Sequence, residues 1–549
     1  MSIQKTTVDF LIVGAGSAGC VIANRLSKSL SQKVALVEYG PKDNSPLIHL
    51  PIGFPLILGQ WVGNKYIYQN LRSEKEKELN GRITYQPRGR TLGGSSSLNA
   101  MIYIRGNKHD YNLWDQEVKG KGNWSYDKVL PVFKNLENNQ HFNNNPYHGN
   151  NGELGVTTPQ FVCDTTRDFL QSCQEAGIKN IDDFNGASQE GSGLYQRTIF
   201  NGQRCSSAKA FLTNDVKNRK NLTILTELKA SQIVFDHQKN AQGVIFMNSK
   251  GEKQYIEAQK EVIICAGAFG SPQLLQLSGV GDAKELGEQN IKVQHNLPGV
   301  GKNLQDHLDV ILSANTKQGD LGSIHHSVLY QQIQHGIKYY IKGDKENSFF
   351  SSNLGEAGAF FKVNEDSQHV DTQFHYAPCL VVDHAQRIEY AKGVTLHSCY
   401  LNPKSRGSVS LKDKNPLSYP KIKMNYLSDP RDLQMMVRGI KKAHQVFTQT
   451  RFRDLIANLG QITVQDPSDQ FWEDFVRAKA ETIYHPVGTC KMGLDDMSVV
   501  NEELKVHGVN KLRVADASIM PYVVSGNTNA PTMMIAQKCA ENIIKDHKL

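Results

Sequence analysis

The sequence predicts an α/β protein that opens with a strand–helix–strand unit on a parallel sheet, and three observations carry that prediction. Val8 to Val13 is a short apolar run that ends in glycine. Ser17 to Ser29 spaces Ala18, Val21, Ile22, Arg25 and Leu26 as one helical face. Lys33 to Glu38 is a second apolar run, so strand, helix and strand follow one another within a single βαβ unit.

The turn between the first strand and its helix reads Gly14-Ala15-Gly16-Ser17-Ala18-Gly19, a G-x-G-x-x-G pattern, with Glu38 at the end of the next strand. In that setting it is a dinucleotide fingerprint. Gly14 permits the tight turn, Gly16 lets a pyrophosphate approach the backbone, and Gly19 lets the helix pack on the sheet. The amides around Ser17 and Ala18 and the positive end of the helix dipole hold phosphate charge. Glu38 can accept from a ribose and repels a 2′-phosphate, which disfavours NADP. The fingerprint alone does not separate FAD from NAD.

Further along, Asn135 to Gly152 is rich in Asn, Gly and His and predicts a surface loop between domains. Leu222 to Phe246 predicts two strands around a polar turn at His237 to Gln242, and Glu261 to Cys265 a buried strand. Leu329 to Lys342, Arg431 to Thr448 and Thr532 to Lys545 carry helical periodicity, and Ser408 to Leu411 alternates as a strand. Leu47 to Val62 is apolar but holds Pro51, Pro55, Gly53 and Gly59, which excludes one regular helix. It reads as a loop, a lid over a pocket, or a patch that touches lipid.

Composition narrows the class. The chain has 549 residues, 39% hydrophobic and 21% charged, as expected for a globular protein of two domains. The net charge of +8 is spread along the chain, with no basic run interleaved with aromatics, so a nucleic-acid partner is not expected. None of the nine cysteines stands in C-x-x-C spacing, so neither zinc nor a redox dithiol is suggested; thiols such as Cys20 and Cys265 read as buried and reduced. No apolar segment precedes the first strand and no apolar run spans a bilayer, so the expected location is cytoplasmic.

Three further segments resemble the glucose–methanol–choline (GMC) oxidoreductase family. They are Gly89-Arg90-Thr91-Leu92-Gly93-Gly94-Ser95-Ser96-Ser97-Leu98-Asn99, the run Gly267 to Gly281, and the pair Tyr484-His485-Pro486-Val487-Gly488-Thr489 with Gly526-Asn527-Thr528-Asn529-Ala530-Pro531. They stand in family order and extend over essentially the whole chain. Pro46 to His49, Ser405-Arg406-Gly407 and Val514 to Pro521 give a likeness to the choline-dehydrogenase-like branch and, within it, to bacterial aliphatic alcohol dehydrogenases.

The resemblance implies an α/β plus α+β architecture: a Rossmann-like FAD-binding domain built from discontinuous segments, and a substrate domain of mostly antiparallel sheet flanked by helices. The expected segments are 1–155, 201–310 and 481–549 for FAD, the last holding the catalytic residues, and 156–200 and 311–480 for substrate. Arg90, Gly93, Gly94, Asn99, Ala100, Asp516, Ala517, Asn527 and Thr528 match positions that touch the cofactor, and Ala230 matches a backbone contact to adenine. Some members tether the flavin through a histidine where this chain has Leu98, so noncovalent FAD is expected. No metal is expected.

Alcohol oxidation needs a base for the hydroxyl proton and a partner for the oxygen while hydride leaves the carbon. His485, in a turn rich in Pro and Gly, is the expected base because imidazole titrates near physiological pH. Asn527 stands where many relatives have a second histidine; it can donate to the substrate oxygen but is no base. Asn529 reads as an N-cap with Pro531 in the first turn of the last helix. Glu356 matches a carboxylate that some choline-oxidising members set beside a quaternary ammonium, and Tyr484 adjoins the expected substrate site.

The expected reaction is therefore FAD-dependent oxidation of a primary, aliphatic, medium-chain alcohol to an aldehyde. The resemblance favours a quinone acceptor and peripheral contact with the inner face of the cytoplasmic membrane, through Leu47 to Val62. Choline dehydrogenation, a non-redox activity such as a lyase or light-driven fatty-acid decarboxylase, and an NAD-linked dehydrogenase stay open at this point.

Overall fold

The computed structural model describes residues 4–142, 145–387, 389–459, 462 and 467–549. Two seven-stranded sheets organise the chain. In the first, Gln4–Val13 lies between Val34–Val37 and Lys253–Ile264, all parallel, with Leu222–Leu225 parallel at the outer edge. The fully buried run Val34-Ala35-Leu36-Val37 is what a parallel strand covered on both faces requires. Lys253–Ile264 is shared: its first half pairs antiparallel with Ala241–Met247, and its last residues pair parallel with Leu512–Val514. Ala241–Met247 in turn pairs antiparallel with Lys229–Phe235.

The second sheet is antiparallel throughout. Its order is Ile456–Asn458, Leu308–Thr316, Gly393–Tyr400, Thr372–Ala377, Ala357–Phe361 and Gly191–Leu194, with Glu481–Thr482 also on Leu308–Thr316. The helix Pro430–Thr448 covers it, burying Leu433, Met436, Val437, Ile440, Ala443 and Phe447; Asp429 caps its start and Pro430 fits its first turn. This is the parallel-plus-antiparallel architecture the resemblance implies.

Several local readings are corrected. Asn135 to Gly152 is no simple surface loop: Glu137 and His148 are buried there with Arg105, and His148 Nε2 lies 2.9 Å from Asp183. A composition that favours turns was outweighed by an ionic cluster that needs burial with its partners. Leu222 to Phe246 forms three strands rather than two, because Leu222–Leu225 joins the far edge of the sheet instead of the hairpin. Leu47 to Val62 breaks into the short helical turns Pro46–His49, Pro51–Gly53 and Phe54–Leu58. Ile48, Pro51, Gly53 and Ile57 are buried, whereas Leu56, Trp61 and Val62 are exposed.

Candidate functional site

One cavity of about 770 Å³ runs from the glycine turn at the first sheet to His485 and Asn527 and opens past Leu56, Trp61 and Ile324. At its inner end, Ser17–Leu26 begins with extended Gly16 as its cap. The amides of Gly16, Ser17 and Ala18 take no backbone acceptor among the described residues. Gly14 has φ +100°, and a Cβ there would lie 2.4 Å from the Cys265 carbonyl oxygen; a Cβ on Gly19 would lie 1.9 Å from that of Gly14. Packing therefore demands both glycines. Gly16 differs: the nearest atom to an added Cβ is Gly94 Cα at 4.0 Å, so nothing in the protein requires a glycine there. The space belongs to a ligand that approaches the backbone, which fits a dinucleotide pyrophosphate.

Glu38 closes the turn. Its carboxylate accepts from the Ala15 amide at 2.9 Å and the Gly40 amide at 2.8 Å. Burial pushes its pKa up, and those two amides oppose the shift. One bond on each oxygen leaves lone pairs for a ribose. Lys229 and Tyr39 line the same end, with the ammonium 5.1 Å from the Tyr39 ring centre; burial lowers the Lys229 pKa to about 8. Ala230, beside it on the strand, also lines the cavity.

The segment Gly89 to Ala100 folds over the glycine turn, with the Gly93 amide donating to the Ala15 carbonyl at 2.7 Å. Gly94, at φ +54°, sits so close that a Cβ would come within 2.7 Å of Gly16 Cα. Gly94, Leu98, Asn99 and Ala100 line the cavity. The Asn99 side-chain oxygen Oδ1 accepts from the Arg204 guanidinium at 2.9 Å, and Leu98 is buried among Ile48, Ile57, Tyr66, Ile67 and Tyr85. Arg90 and Gly93 stay outside the lining: Arg90 donates to the Lys65 carbonyl and stacks over Tyr39. Gly19 likewise serves packing.

At the other end, the loop 482–489 is fastened to 303–307. Gln305 and Val487 exchange backbone hydrogen bonds, and Asp306 accepts from the His485 amide at 2.8 Å and from the Thr482 and Tyr426 hydroxyls. Tyr484 lines the cavity at a strained φ of 72°, its carbonyl held by Arg88 at 2.7 Å. His485 is 7% exposed and lines the cavity.

The imidazole contacts fix a tautomer. His307 Nε2 lies 3.1 Å from the Leu401 carbonyl oxygen, which can only accept, so that nitrogen carries the proton. Burial lowers the His307 pKa to about 4, so the ring is neutral and its Nδ1 is an acceptor. His485 Nδ1 lies 3.0 Å from it and must therefore donate. Burial first, then His307, His375 and Arg88, holds the His485 pKa well below 6.5, so this ring is neutral too. Its Nε2 presents a lone pair, with the Asn527 amide donating to it at 3.2 Å. Asn527 Oδ1 accepts from Gln373 at 3.3 Å. The result is a neutral base and an adjacent donor on one cavity wall.

Asp516, Ala517, Asn527 and Thr528 line the cavity. The Asp516 carboxylate, however, is occupied within the protein, accepting from Gly267 N, Ser271 Oγ and Ser518 N. The last helix starts at Asn529 with Thr528 as its cap; Asn529 is not the cap, and its side chain instead accepts from Ser17 Oγ at 2.8 Å, tying the first helix to the last. Glu356 is the clear departure. It is fully buried, absent from the lining, and accepts from Cys163 N at 2.9 Å, Thr166 Oγ1 at 2.8 Å and Ser352 Oγ at 2.7 Å. Three donors within the fold hold its carboxylate away from the cavity lining.

Sequence reasoning missed His307, Asp306, Gln373 and His375. His375 lines the cavity, is 6% exposed, and neither ring nitrogen has a partner of hydrogen-bond geometry among the described residues. The adjacent Asp306-His307 pair at the head of a strand was the available signal; nothing in the alternating strand around His375 marked it.

Family models of GMC oxidoreductases match residues 8–309 and 403–536. The chain is 44% identical to an alcohol dehydrogenase [acceptor] of Pseudomonas putida, over 98% of this chain and 96% of that one. It is 38% identical to the mitochondrial choline dehydrogenase of Mus musculus, over 100% of this chain and 91% of that one. A formate oxidase of Aspergillus oryzae RIB40 superposes with a TM-score of 0.89 at 25% identity over the full length of both chains. With both family segments matched, in the order the fold places them, the chain belongs to the GMC oxidoreductase family.

Proposed function

We propose that the protein oxidises a primary, aliphatic alcohol of medium chain length to its aldehyde, using FAD held without a covalent bond and passing electrons to a quinone. The observation that carries this reading is the relay Leu401 carbonyl–His307–His485, which leaves His485 Nε2 unprotonated beside the Asn527 amide. The substrate hydroxyl takes the place of the Asn527 N–H on Nε2 and donates to it, while its oxygen accepts from Asn527 Nδ2. As the proton moves to Nε2, negative charge gathers on that oxygen, and the Asn527 donor stabilises it in a cavity shielded from bulk water. His375 supplies a second ring nitrogen able to position the oxygen.

FAD, when bound, supplies the acceptor for the hydride. The amides of Gly16, Ser17 and Ala18 would hold its pyrophosphate, Glu38 its ribose and the Ala230 backbone its adenine, while the start of the helix Asn529–His547 brings a positive dipole end to the cavity wall. Leu98 offers no nucleophile for a tether. Residues 1–155, 201–310 and 481–549 form the cofactor-binding domain in this reading, and 156–200 and 311–480 the substrate domain.

The outer lining, with Leu47, Leu50, Ile52, Phe54, Leu56 and Leu58, suits an alkyl chain. Glu356, buried outside the lining, does not decide between a neutral alcohol and choline. This reading includes a cytoplasmic location, with the quinone met at the inner face of the membrane. Anaerobic titration of the FAD-loaded protein with 1-octanol and with choline tests the reading. Octanol is expected to bleach the flavin and choline to leave it oxidised, and His485→Ala is expected to slow bleaching by orders of magnitude with FAD retained. Bleaching by choline alone, or an unaffected His485→Ala variant, overturns it.

A further inference from the structure

The loop that carries Asn527 is gripped two residues before it, at the fully buried Ser525. Ser525 donates from its amide to Asp110 Oδ2 at 2.7 Å and from its hydroxyl to Asp110 Oδ1 at 2.8 Å. Its carbonyl accepts from Gln189 Nε2 at 2.7 Å. All three polar groups of the residue therefore end on side chains 415 and 336 positions away in the sequence. Between Ser525 and Asn527 stands Gly526, whose amide closes a tight turn on the Val524 carbonyl at 2.7 Å. Its φ is +145°, and a Cβ there would lie 2.4 Å from Ile104 Cγ2. Across the contact, Gly106 has φ +91°, and a Cβ there would lie 2.9 Å from both Asp110 Oδ2 and Val524 Cβ. A glycine on each side lets the two segments close on each other.

Asp110 has a local duty as well. It is the third residue of the helix Lys108–Glu117 and accepts from the Asn107 amide at 2.7 Å, which completes a capping box. That duty takes one lone pair of one oxygen, and the two bonds from Ser525 lie outside it. Asp110 is 3% exposed and absent from the cavity lining. Burial pushes its pKa up to about 6, opposed by the bonds from Ser525 and Asn107. The carboxylate is thus charged at pH 7, and its bonds are about twice as strong as neutral ones. The side-chain bonds of Asn527 itself are longer, 3.2 Å to His485 and 3.3 Å from Gln373. The first is given up when the substrate hydroxyl takes its place on His485 Nε2. What then keeps the amide in register is the backbone that Ser525 anchors. His485 is fastened in the same manner, its amide on the buried Asp306 at 2.8 Å.

We propose that Asp110 is a positioning residue for the reaction. It sets the Asn527 amide against the substrate oxygen through Ser525, with Gln189 as its counterpart on the Ser525 carbonyl. Asn527 stabilises charge on that oxygen only from within hydrogen-bond reach, and a misplacement of about 1 Å costs on the order of a hundred-fold in rate. This role rests on the proposed oxidation of an alcohol; the placement of Asn527 does not.

The test is a double-mutant cycle on the FAD-loaded full chain. Asp110→Ala, Asn527→Ala and the double variant are each mixed anaerobically with 1-octanol while the flavin absorbance is followed. Asp110→Ala is expected to lower the limiting rate of reduction by about ten-fold or more, with the half-saturating octanol concentration changed by less than about three-fold. Asp110→Asn, which keeps an acceptor for the Ser525 amide, is expected to recover most of the loss. In the Asn527→Ala background, Asp110→Ala is expected to cost no more than about two-fold, because the amide it acts through is gone. A loss that reflects weakened folding alone would appear in full in both backgrounds. Gln189→Leu leaves both bonds of the capping box in place and is expected to show the same coupling; it carries every measurement if Asp110→Ala does not hold FAD. A crystal structure of the variant reads the placement without the chemistry: Asn527 Nδ2 is expected to move by about 1 Å or more relative to His485 Nε2. Equal losses in the two backgrounds, or an unmoved Asn527 in the crystal, overturn the proposal. If Asn527→Ala by itself is reduced at the native rate, the role read for Asn527 falls, and the crystal structure alone decides whether Asp110 places it.

Discussion

Replacing His307 by leucine tests whether the base is prepared by its neighbour or merely placed near it. In the native site the Nδ1 proton of His485 has one acceptor, His307 Nδ1 at 3.0 Å, and Leu401 holds that ring in the accepting tautomer. Leucine removes the acceptor. The productive tautomer of His485 then carries a buried, unsatisfied N–H, which costs about 1–3 kcal/mol. The other tautomer puts a proton on Nε2, against the Asn527 amide, and relief requires Asn527 to turn over and give up its bond from Gln373 at 3.3 Å. Neither state is free of penalty, so the loss should appear in the chemical step. The expected fall in the limiting rate of flavin reduction is roughly 5- to 150-fold. The assay is anaerobic rapid mixing with saturating alcohol, following the visible absorbance of the flavin. FAD content and the affinity for the alcohol should change little, and His307→Gln, which retains an acceptor, should recover part of the rate. A reduction rate within a factor of two of native for His307→Leu, with FAD bound, would show that tautomer control by His307 is wrong.

Other outcomes follow from the same geometry. Gly16→Ala should leave the thermal stability of the FAD-free protein nearly unchanged, since its Cβ has 4.0 Å of clearance, yet sharply weaken FAD binding in a fluorescence titration; Gly19→Ala, with 1.9 Å, should lower the melting temperature itself. Acid precipitation of the holoenzyme should leave all the flavin in the supernatant, because Leu98 cannot form a tether; yellow pellets would contradict this. For His375, the folded pKa is lowered to about 3 by burial and by neighbouring histidines, against about 6.5 unfolded. The native protein therefore loses stability as pH falls below about 6.5, because the unfolded chain takes up a proton that the folded one refuses. His375→Leu is free of that term, so its stability relative to native should rise by about 2 kcal/mol between pH 7 and pH 5 in urea unfolding. An unchanged difference would mean that His375 takes up a proton in the folded state.

The sequence by itself determined the parts of this protein that are local. The glycine turn with Glu38 requires contacts within one βαβ unit, and the Tyr484–Thr489 and Gly526–Pro531 segments carry their chemistry in their residue types. The tertiary structure decided what depends on direction and on distant partners. Periodicity grouped the apolar residues of Leu329–Tyr340 on one face without saying that the face points outward, because a helical period is the same from either side. His307 stands 178 residues before the histidine it orients, and a tautomer is a property of the pair. Glu356 matched a substrate position by its neighbours in the chain, but three donors brought in by the fold claimed its carboxylate first. A side chain's chemical type is written in the sequence, whereas its role depends on which group satisfies it, and only the packed chain chooses that group.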